Sequence, residues 1–399
     1  MYIFTRYVVA EILKIFFVTL TAITLLVTVG MGVKEGTSHG CPPSVILHLM
    51  PYMLPEMLVI TIPVSLLLAV SIVYGRMTGS NEIVAMKSLG ISPMDVIWPA
   101  IVLSLLFSIG VLYLQEIAAT VGRPSVARVF TESIEEIALG MLQREKSCNL
   151  PEFSITVKEV RMEDKMLISP TIVINGRGSE QKITIRAAKA KLETNRQAKT
   201  VTFKCWDGSI DYQGQGGIAI SFPGMKEETV PISDSVDPGR DDFHRDWVAM
   251  HEIPDKLAQL RKMIWDTEQQ RTALLAKNQS APPQEEERQK TLAWIDAVSK
   301  DLWWKIHRLQ TEPYRRLSNG VTCLCFVLIG APVAMLWRHA DVLTNFFVCF
   351  LPILAIYYPL LMIGEDLTTA RGFAPIIFWM GNVTLIVPGI YLLKWVVKH

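Results

Sequence analysis

Six stretches of the chain contain no Asp, Glu, Lys or Arg: 15–33, 57–75, 96–115, 317–337, 342–364 and 372–393. Each is 19 to 23 residues long, and a helix of roughly 20 apolar residues crosses the ~30 Å hydrocarbon core of a bilayer. The pattern predicts six membrane spans, three on either side of a long polar insert. The first run is followed by Gly36–Thr37–Ser38–His39–Gly40, a poor small-x-small cleavage site, so it reads as an uncleaved span rather than a signal peptide.

The insert, 116–316, changes period partway. Between about 152 and 232 apolar and polar residues alternate, as at Ile155, Val157 and Val160, at Ile183, Ile185 and Ala187, at Val201 and Phe203, and at Ile218, Ile220 and Phe222. Asn175–Gly176, Asp207–Gly208 and Gly214–Gln215–Gly216–Gly217 supply turns. Period-two alternation with frequent turns predicts an antiparallel sandwich or jelly roll. From about 252 to 311 the apolar positions recur at helical spacing, first Ile253, Leu257, Leu260 and Ile264, then Leu292, Ile295, Val298, Leu302, Ile306 and Leu309. Pro282–Pro283 separates the two runs, so they predict a charged antiparallel helical hairpin whose second arm heads into the fourth span. It reads either as a stalk burying its own seam or as a docking arm.

The loop between the second and third spans carries a further short helix. Ser80 and Asn81 are good N-cap residues, Glu82 suits a first turn, and Gly90 with Pro93 ends the element. Ile83, Met86 and Leu89 or Gly90 share one face. Such an elbow either lies in the membrane interface or fits a groove on a partner.

Composition sharpens this picture. The six runs total 124 residues, and the other 275 hold all 77 charged side chains, a soluble-like 28%. This excludes a cytosolic enzyme, a secreted disulfide scaffold and a disordered chain. A net charge of +1 offers no nucleic-acid footprint. Short loops on one side carry Arg6, Lys14, Arg76, Lys87, Arg338, Lys394 and Lys398, against Lys34 and Arg371 on the other. The positive-inside rule therefore puts both termini in the cytoplasm and 116–316 outside, with Trp98, Trp337, Tyr391 and Trp395 near span ends. The spans hold many prolines but no intramembrane acid, lysine or histidine of the kind a proton relay uses. Energy for any transport must then enter from outside the membrane.

Enzyme chemistry has no foothold. There is no GxxxxGK[ST] motif, and His251–Glu252–Ile253–Pro254–Asp255 starts like HExxH but has Asp255 at the second ligand position. The histidines are scattered, no Cys/His spacing suits a metal, and Cys323, Cys325 and Cys349 read as small buried hydrophobes. No catalytic or metal site is expected.

Several segments resemble the LptF/LptG (YjgP/YjgQ) permease family, the transmembrane subunits of the ATP-driven lipopolysaccharide exporter. They are Arg6–Tyr7 with Glu11 and Lys14, Pro55–Glu56, Ile62–Pro63, and above all Ser80–Asn81–Glu82–Ile83–Val84–Ala85–Met86–Lys87–Ser88–Leu89–Gly90–Ile91–Ser92, similar to the family's coupling-helix pattern. Trp206–Asp207–Gly208, Glu312 to Arg316, Gly330–Ala331–Pro332, Gly364–Glu365, Ala374–Pro375, Trp379, Asn382 and Gly389 continue the likeness in order. The resemblance implies an α-helical polytopic inner-membrane protein with six spans (3+3), an inserted periplasmic antiparallel β-jellyroll and a helical hairpin. Its domains would be a first transmembrane half (1–115, coupling helix about 80–90), the jellyroll (116–250), the hairpin (251–316) and a second half (317–399).

The same resemblance implies a non-catalytic subunit without a cofactor of its own, driven by a dimeric cytoplasmic ABC ATPase that uses the ATP. It implies a second LptF/LptG-like permease subunit, a periplasmic jellyroll acceptor and lipopolysaccharide as cargo, with membrane lipids around the spans. Glu82, Ile83, Met86 and Lys87 become the coupling contacts. Lys34, Arg315 and Arg316, at the outer mouth, become candidates for lipid phosphates, with ordinary snorkelling as the alternative. The lateral gate would involve 15–33 and 342–364. Periplasmic exposure would also let Cys148 and Cys205 pair, leaving Cys41. The hairpin is longer than the family's usual return to span four, which leaves room for another amphiphile, for force transmission without lipid movement, or for a membrane-anchored periplasmic sensor.

Overall fold

The computed structural model describes residues 2–38, 43–149, 153–161, 164–175, 182–195, 200–213, 218–231, 247–276, 282–337, 342–371 and 373–398. Cys41, Arg338 and the turn glycines Gly176, Gly214, Gly216 and Gly217 lie outside these residues. Six helical segments are long and apolar enough to cross a membrane: Ile3–Lys34, Ser44–Gly79, Pro93–Val126, Arg288–Leu336, Phe346–Thr368 and Pro375–Lys398. The chain divides into two compact units, one of residues 1–25, 55–120 and 245–399, the other of 26–54 and 121–244.

The first unit is a helical bundle. Its elements are α1 (Tyr2–Ser38), α2 (Pro43–Gly79), the elbow α3 (Glu82–Ser88), α4 (Pro93–Ile117), α7 (Ile253–Ala276), α8 (Pro282–Leu336), α9 (Val342–Pro352), α10 (Tyr358–Arg371) and α11 (Met380–Lys398), with α1 and α2 running on into the second unit. The spans of α2 and α8 are the most buried, while those of α1, α9–α10 and α11 keep most of their surface open. Two apolar clusters hold the bundle. One gathers Phe16, Val70, Tyr74, Met77, Ile97 and Val327, and the other Leu67, Phe326, Cys349 and Tyr357. Without a hydrophobic drive between lipid-bathed helices, close packing and interhelical hydrogen bonds must hold them. Gly389 of α11 lets that helix approach α8 so closely that a Cβ would sit 3.1 Å from the Leu328 carbonyl oxygen. Buried Asn382 adds hydrogen bonds, its Nδ2 donating to the Ser318 carbonyl at 2.9 Å and to Ser318 Oγ at 3.0 Å.

Prolines shape the second half. A π-helical turn, Ile353–Tyr357, follows Pro352 between α9 and α10, a usual place for a helix to accommodate a lost ladder bond. It presents Tyr357, whose hydroxyl lies 2.7 Å from Thr322 Oγ1 of α8. Pro282 and Pro283 do not form the hairpin turn itself. They open α8, where an N–H has no helical partner to lose. From there α8 runs unbroken for 55 residues into the membrane segment.

In the second unit α5 (Arg123–Glu132) and α6 (Ile134–Glu145) precede an eight-stranded antiparallel sheet, and α6 buries Ala138, Leu139 and Leu142 against it. The strands are β1 (Ser147–Asn149), β2 (Phe153–Thr156), β3 (Glu159–Arg161), β4 (Met166–Ile168), β5 (Thr171–Asn175), β6 (Lys182–Asn195), β7 (Thr200–Gln213) and β8 (Ile218–Pro231). One edge of β6 takes β5 along its first part and β4 along its second, while β7 follows the other edge and β8 closes the series. The alternation read from the sequence is present in β2, β6 and β7, with Ile155, Ile185, Leu192, Phe203 and Ile210 lining the interior, whereas on β8 Ile220 is exposed.

The sheet is folded along a line that the alternation did not announce. The buried phase steps from Ala187 to Ala190 on β6 and from Cys205 across Asp207 to Ile210 on β7. Ser169 donates its N–H to the Ala188 carbonyl, and Gly224 donates its N–H to Asp207 Oδ1 at 2.9 Å. Ser169, Asp207 and Gly224 all have positive φ, at 49°, 49° and 92°, and the β7–β8 register slips between Trp206 and Gly208. Asp207–Gly208 is therefore not a turn between strands but the corner within β7, where the bulge re-aims side chains and lets both halves face one interior. The result is a half-barrel of the jellyroll kind.

Cys148 and Cys205 are free and buried in this interior. Strands β2, β5 and β6 separate β1 from β7, so the pairing expected from exposure to an oxidising compartment does not occur. Cys148 instead donates its Sγ–H to Met141 Sδ at 3.8 Å. Burial pushes both thiols up to about 11, which leaves about one molecule in a thousand as thiolate at pH 8. A maleimide at that pH should label neither in the folded protein and both after denaturation; rapid native labelling would contradict the burial. At the corner, a Cβ on Gly208 would run into the Arg186 carbonyl and lie 3.0 Å from Ala187 Cα. Gly208→Ala should cost on the order of 2 kcal/mol, read as loss of hydrogen-exchange protection in β6 and β7.

Candidate functional site

The elbow between α2 and α4 is the first constellation. Asn81 takes the left-handed conformation, φ 60°, and makes no side-chain cap, so α3 starts differently from the capped helix expected. Ser80 is occupied elsewhere: its Oγ lies 2.9 Å from the Arg76 carbonyl and 2.8 Å from Glu82 Oε1. Gly90, at φ 80°, ends the element, and Ser92 caps α4 by accepting the Met94 N–H at 3.2 Å.

The two faces of α3 differ sharply. Ile83 is buried and Met86 half-buried against the cluster that includes Met77, Val96 and Ile97. Glu82 is half-buried, Lys87 is exposed, and beside them Val84 and Leu89 stand out to solvent, Leu89 with 77% of its surface free. Of the four coupling candidates, Ile83 and Met86 thus seat the helix on its own protein, while Glu82 and Lys87 belong to the open side. The sequence reading passed over Val84 and set Leu89 or Gly90 on one face with Ile83 and Met86, whereas Leu89 is exposed and Ile83 is not. A period of 3.6 sets Val84 about 100° from Ile83, the signal that could have separated them.

A second constellation joins the end of α4 to the part of α8 just before its apolar run. Arg316 has only 4% of its side chain exposed, and its guanidinium is directed at protein on three sides. Nε donates to Glu312 Oε1 at 2.9 Å, Nη1 to Glu116 Oε2 at 2.9 Å and Nη2 to the Val248 carbonyl at 2.8 Å. Glu116 Oε1 accepts the Met250 N–H at 2.9 Å, and Gln115 Nε2 donates to the Arg316 carbonyl at 3.2 Å. Arg315, partly exposed, binds fully buried Glu312 through Nε at 2.9 Å and Nη2 at 2.7 Å. Of the three phosphate candidates, Arg315 and Arg316 share Glu312, whereas Lys34 is an exposed residue near the end of α1, in the other compact unit. The sequence reading gave Glu116 no role and used Glu312 only as part of the family likeness. Glu116 is the first charge after the third apolar run, and Glu312, Arg315 and Arg316 fall at i, i+3 and i+4, so they meet on one helix face.

Third, the sheet corner leaves an open groove of about 600 Å3 beside Arg186, Asp207, Ser209, Ser221 and Phe222. No group of His, Cys, Asp or Glu that could hold a metal occurs among the described residues.

A six-span bundle with a folded sheet inserted between its halves and a two-faced elbow between its second and third spans defines a multi-pass membrane protein. The sequence matches the family described as "Lipopolysaccharide export system permease LptF/LptG" over residues 6–395, and the chain belongs to that family. Its members are subunits for lipopolysaccharide export, and six apolar helices fit a multi-pass inner-membrane protein. No individually curated protein matches the chain.

The charged network yields a direct test. Glu116→Ala strips a nearly buried guanidinium of one carboxylate, and breaking such a pair costs roughly 3–5 kcal/mol. The detergent-purified protein should melt well below wild type, and adding Arg316→Met should recover part of the loss. A double variant no better than Glu116→Ala would show that the cost lies elsewhere.

Proposed function

We propose that this chain is the non-catalytic membrane subunit of an ATP-driven extractor that lifts lipopolysaccharide from the outer leaflet of the inner membrane. A cytoplasmic ABC ATPase dimer docks on α3, and its closure moves the spans and drives the lipid towards a periplasmic jellyroll acceptor. The observation that carries this reading is the two-faced elbow: a rigidly seated short helix whose other side offers an acid, a base and two bare aliphatic side chains. A helix that merely rested in the membrane interface would turn its apolar face to lipid rather than into its own bundle. The loop charges support an orientation with both termini in the cytoplasm and 116–316 in the periplasm.

Further features support the remaining partners. Phe17, Leu25 and Leu26 on α1 and Leu351, Leu354 and Met362 on α9–α10 are exposed apolar residues, suited to a second LptF/LptG-like subunit and to acyl chains between the two. The long strand β8 pairs only with β7 among the described residues, and an open strand edge is a ready acceptor for another sheet. For the lipid phosphates, Lys34 and Arg315 are the better placed contacts. Arg316, directed inward at two carboxylates and a carbonyl, serves as a strut.

The test is a mild-detergent pull-down with mass spectrometry on protein and lipid fractions. The wild type should bring down an ABC ATPase and a phosphorylated glycolipid, and Glu82→Ala should cut ATPase recovery about tenfold with the fold intact. Recovery of neither partner from a folded, monodisperse sample would overturn the exporter reading in favour of a sensor.

A further inference from the structure

The base of the elbow is tied to the first span by one side chain. Arg76, near the end of α2, donates from Nη1 to Glu11 Oε1 of α1 at 2.8 Å and from Nη2 to Tyr7 Oη of α1 at 3.3 Å. Its main chain faces the other way: the Arg76 carbonyl accepts the Ser80 N–H at 2.9 Å, and Ser80 Oγ lies 2.9 Å from the same oxygen. That hydroxyl also lies 2.8 Å from Glu82 Oε1. A serine hydroxyl has one proton to donate, so it serves the Arg76 carbonyl or the Glu82 carboxylate, not both at once. With the hydroxyl on Glu82, the Ser80 N–H still holds the Arg76 carbonyl, so a polar path leads from Glu82, on the open side of the elbow, through Ser80 and Arg76 to α1. It matters because the α1 span keeps most of its surface open, and apart from this fork it is held by the stripe of Val8, Ile12 and Phe16 with Phe4, Leu13, Ile15 and Leu20 beside it, and by the Thr24–Thr61 hydroxyl contact at 2.8 Å.

We propose that Arg76 is a positioning residue that locks the elbow to the first span, so that α3 and the Glu11 end of α1 move as one body. The proposal rests on the coupling role given to α3 above and extends it to a particular route. Load applied at Glu82 reaches α1 through the Arg76 fork rather than through α2 alone. Because the carboxylate of Glu11 and the hydroxyl of Tyr7 sit one turn apart on the same helix, the fork fixes rotation of α1 as well as its distance.

Two readouts test it, one of which needs no ATPase. Spin labels at Ile3→Cys and Ser88→Cys, in a Cys41→Ser background, report the spacing of α1 and α3 in the purified permease. Arg76→Gln and Glu11→Gln should each broaden that distance distribution, and the charge swap Glu11→Arg with Arg76→Glu should narrow it again. In the ATPase-bound complex, lipid moved per ATP should fall about fivefold in the single variants, with ATPase recovery unchanged, and should return in the swap. A distribution unaltered by the single substitutions, a swap as broad as they are, or an unchanged lipid-to-ATP ratio in a transporting complex would overturn the proposal. A wild type that moves no lipid would defeat the exporter reading alone, and the label distances would still decide the lock.

Discussion

The guanidinium of Arg316 holds together three segments that are far apart in sequence: the end of α4 at Glu116, the strand-to-hairpin passage at Val248, and the helix it belongs to. In water such a cluster would be worth little, because exposed ion pairs are screened. Here Arg316 and Glu312 are buried where two spans end, and all four oxygens of Glu116 and Glu312 have a specific partner. That enclosure makes the arrangement directional: neither carboxylate can swing away without leaving a buried charge unmatched. The hairpin is thereby rooted on the bundle, and α8, unbroken from Pro282 to Leu336, carries any tilt of its membrane segment out along the hairpin arm.

The same economy of polar groups governs the spans. Among the described residues, Thr24 with Thr61 joins α1 to α2, Tyr74 Oη donates to the Val96 carbonyl of α4, and Asn382 to Ser318 and Tyr357 to Thr322 tie α11 and the π-helical turn to α8. The two ends of the spans are treated differently. Where the spans border the insert, charges are buried and interlocked around Arg316. At the elbow end, Arg76 and Glu11 remain partly open to solvent. A partly solvated fork holds less strongly than an enclosed one, so the Arg76 lock keeps together two parts that travel as one, whereas the Arg316 cluster roots the hairpin on the bundle.

Much of this was legible in the sequence because two signals are nearly free of tertiary context. Charge-free runs of span length and period-two alternation reflect what bilayer and sheet demand of every residue in them, and both led to the right elements. What failed to show was geometry created by contacts between distant residues. Asp207–Gly208 reads as a hairpin turn by composition, yet the registers on either side carry β7 straight through it, and the positive φ serves a corner. Asn81 reads as a helix cap, yet it reverses the chain while Ser80 is engaged by Arg76. Ile83 reads as a partner contact, yet it faces the bundle, because one short apolar stripe looks the same whether its groove is on another protein or on its own. Arg316 reads as a free cation at a membrane mouth until Glu116, two hundred residues away, is brought to it.

The elbow follows from these constraints together. A seven-residue helix is too short to persist alone in water, so something must hold it before a partner arrives. Ile83 and Met86 supply that hold from below and the αL residues Asn81 and Gly90 fix its two ends. The outer side is left free to be selected for docking alone. Were the apolar stripe facing outward, the helix would depend on its partner for its own structure, and each release would cost the order of the joint. On the coupling role proposed above, the inward-facing stripe would let the helix keep its shape through binding and release, so that a push on Glu82 or Leu89 would be delivered to α2, α4 and α1 rather than absorbed in refolding.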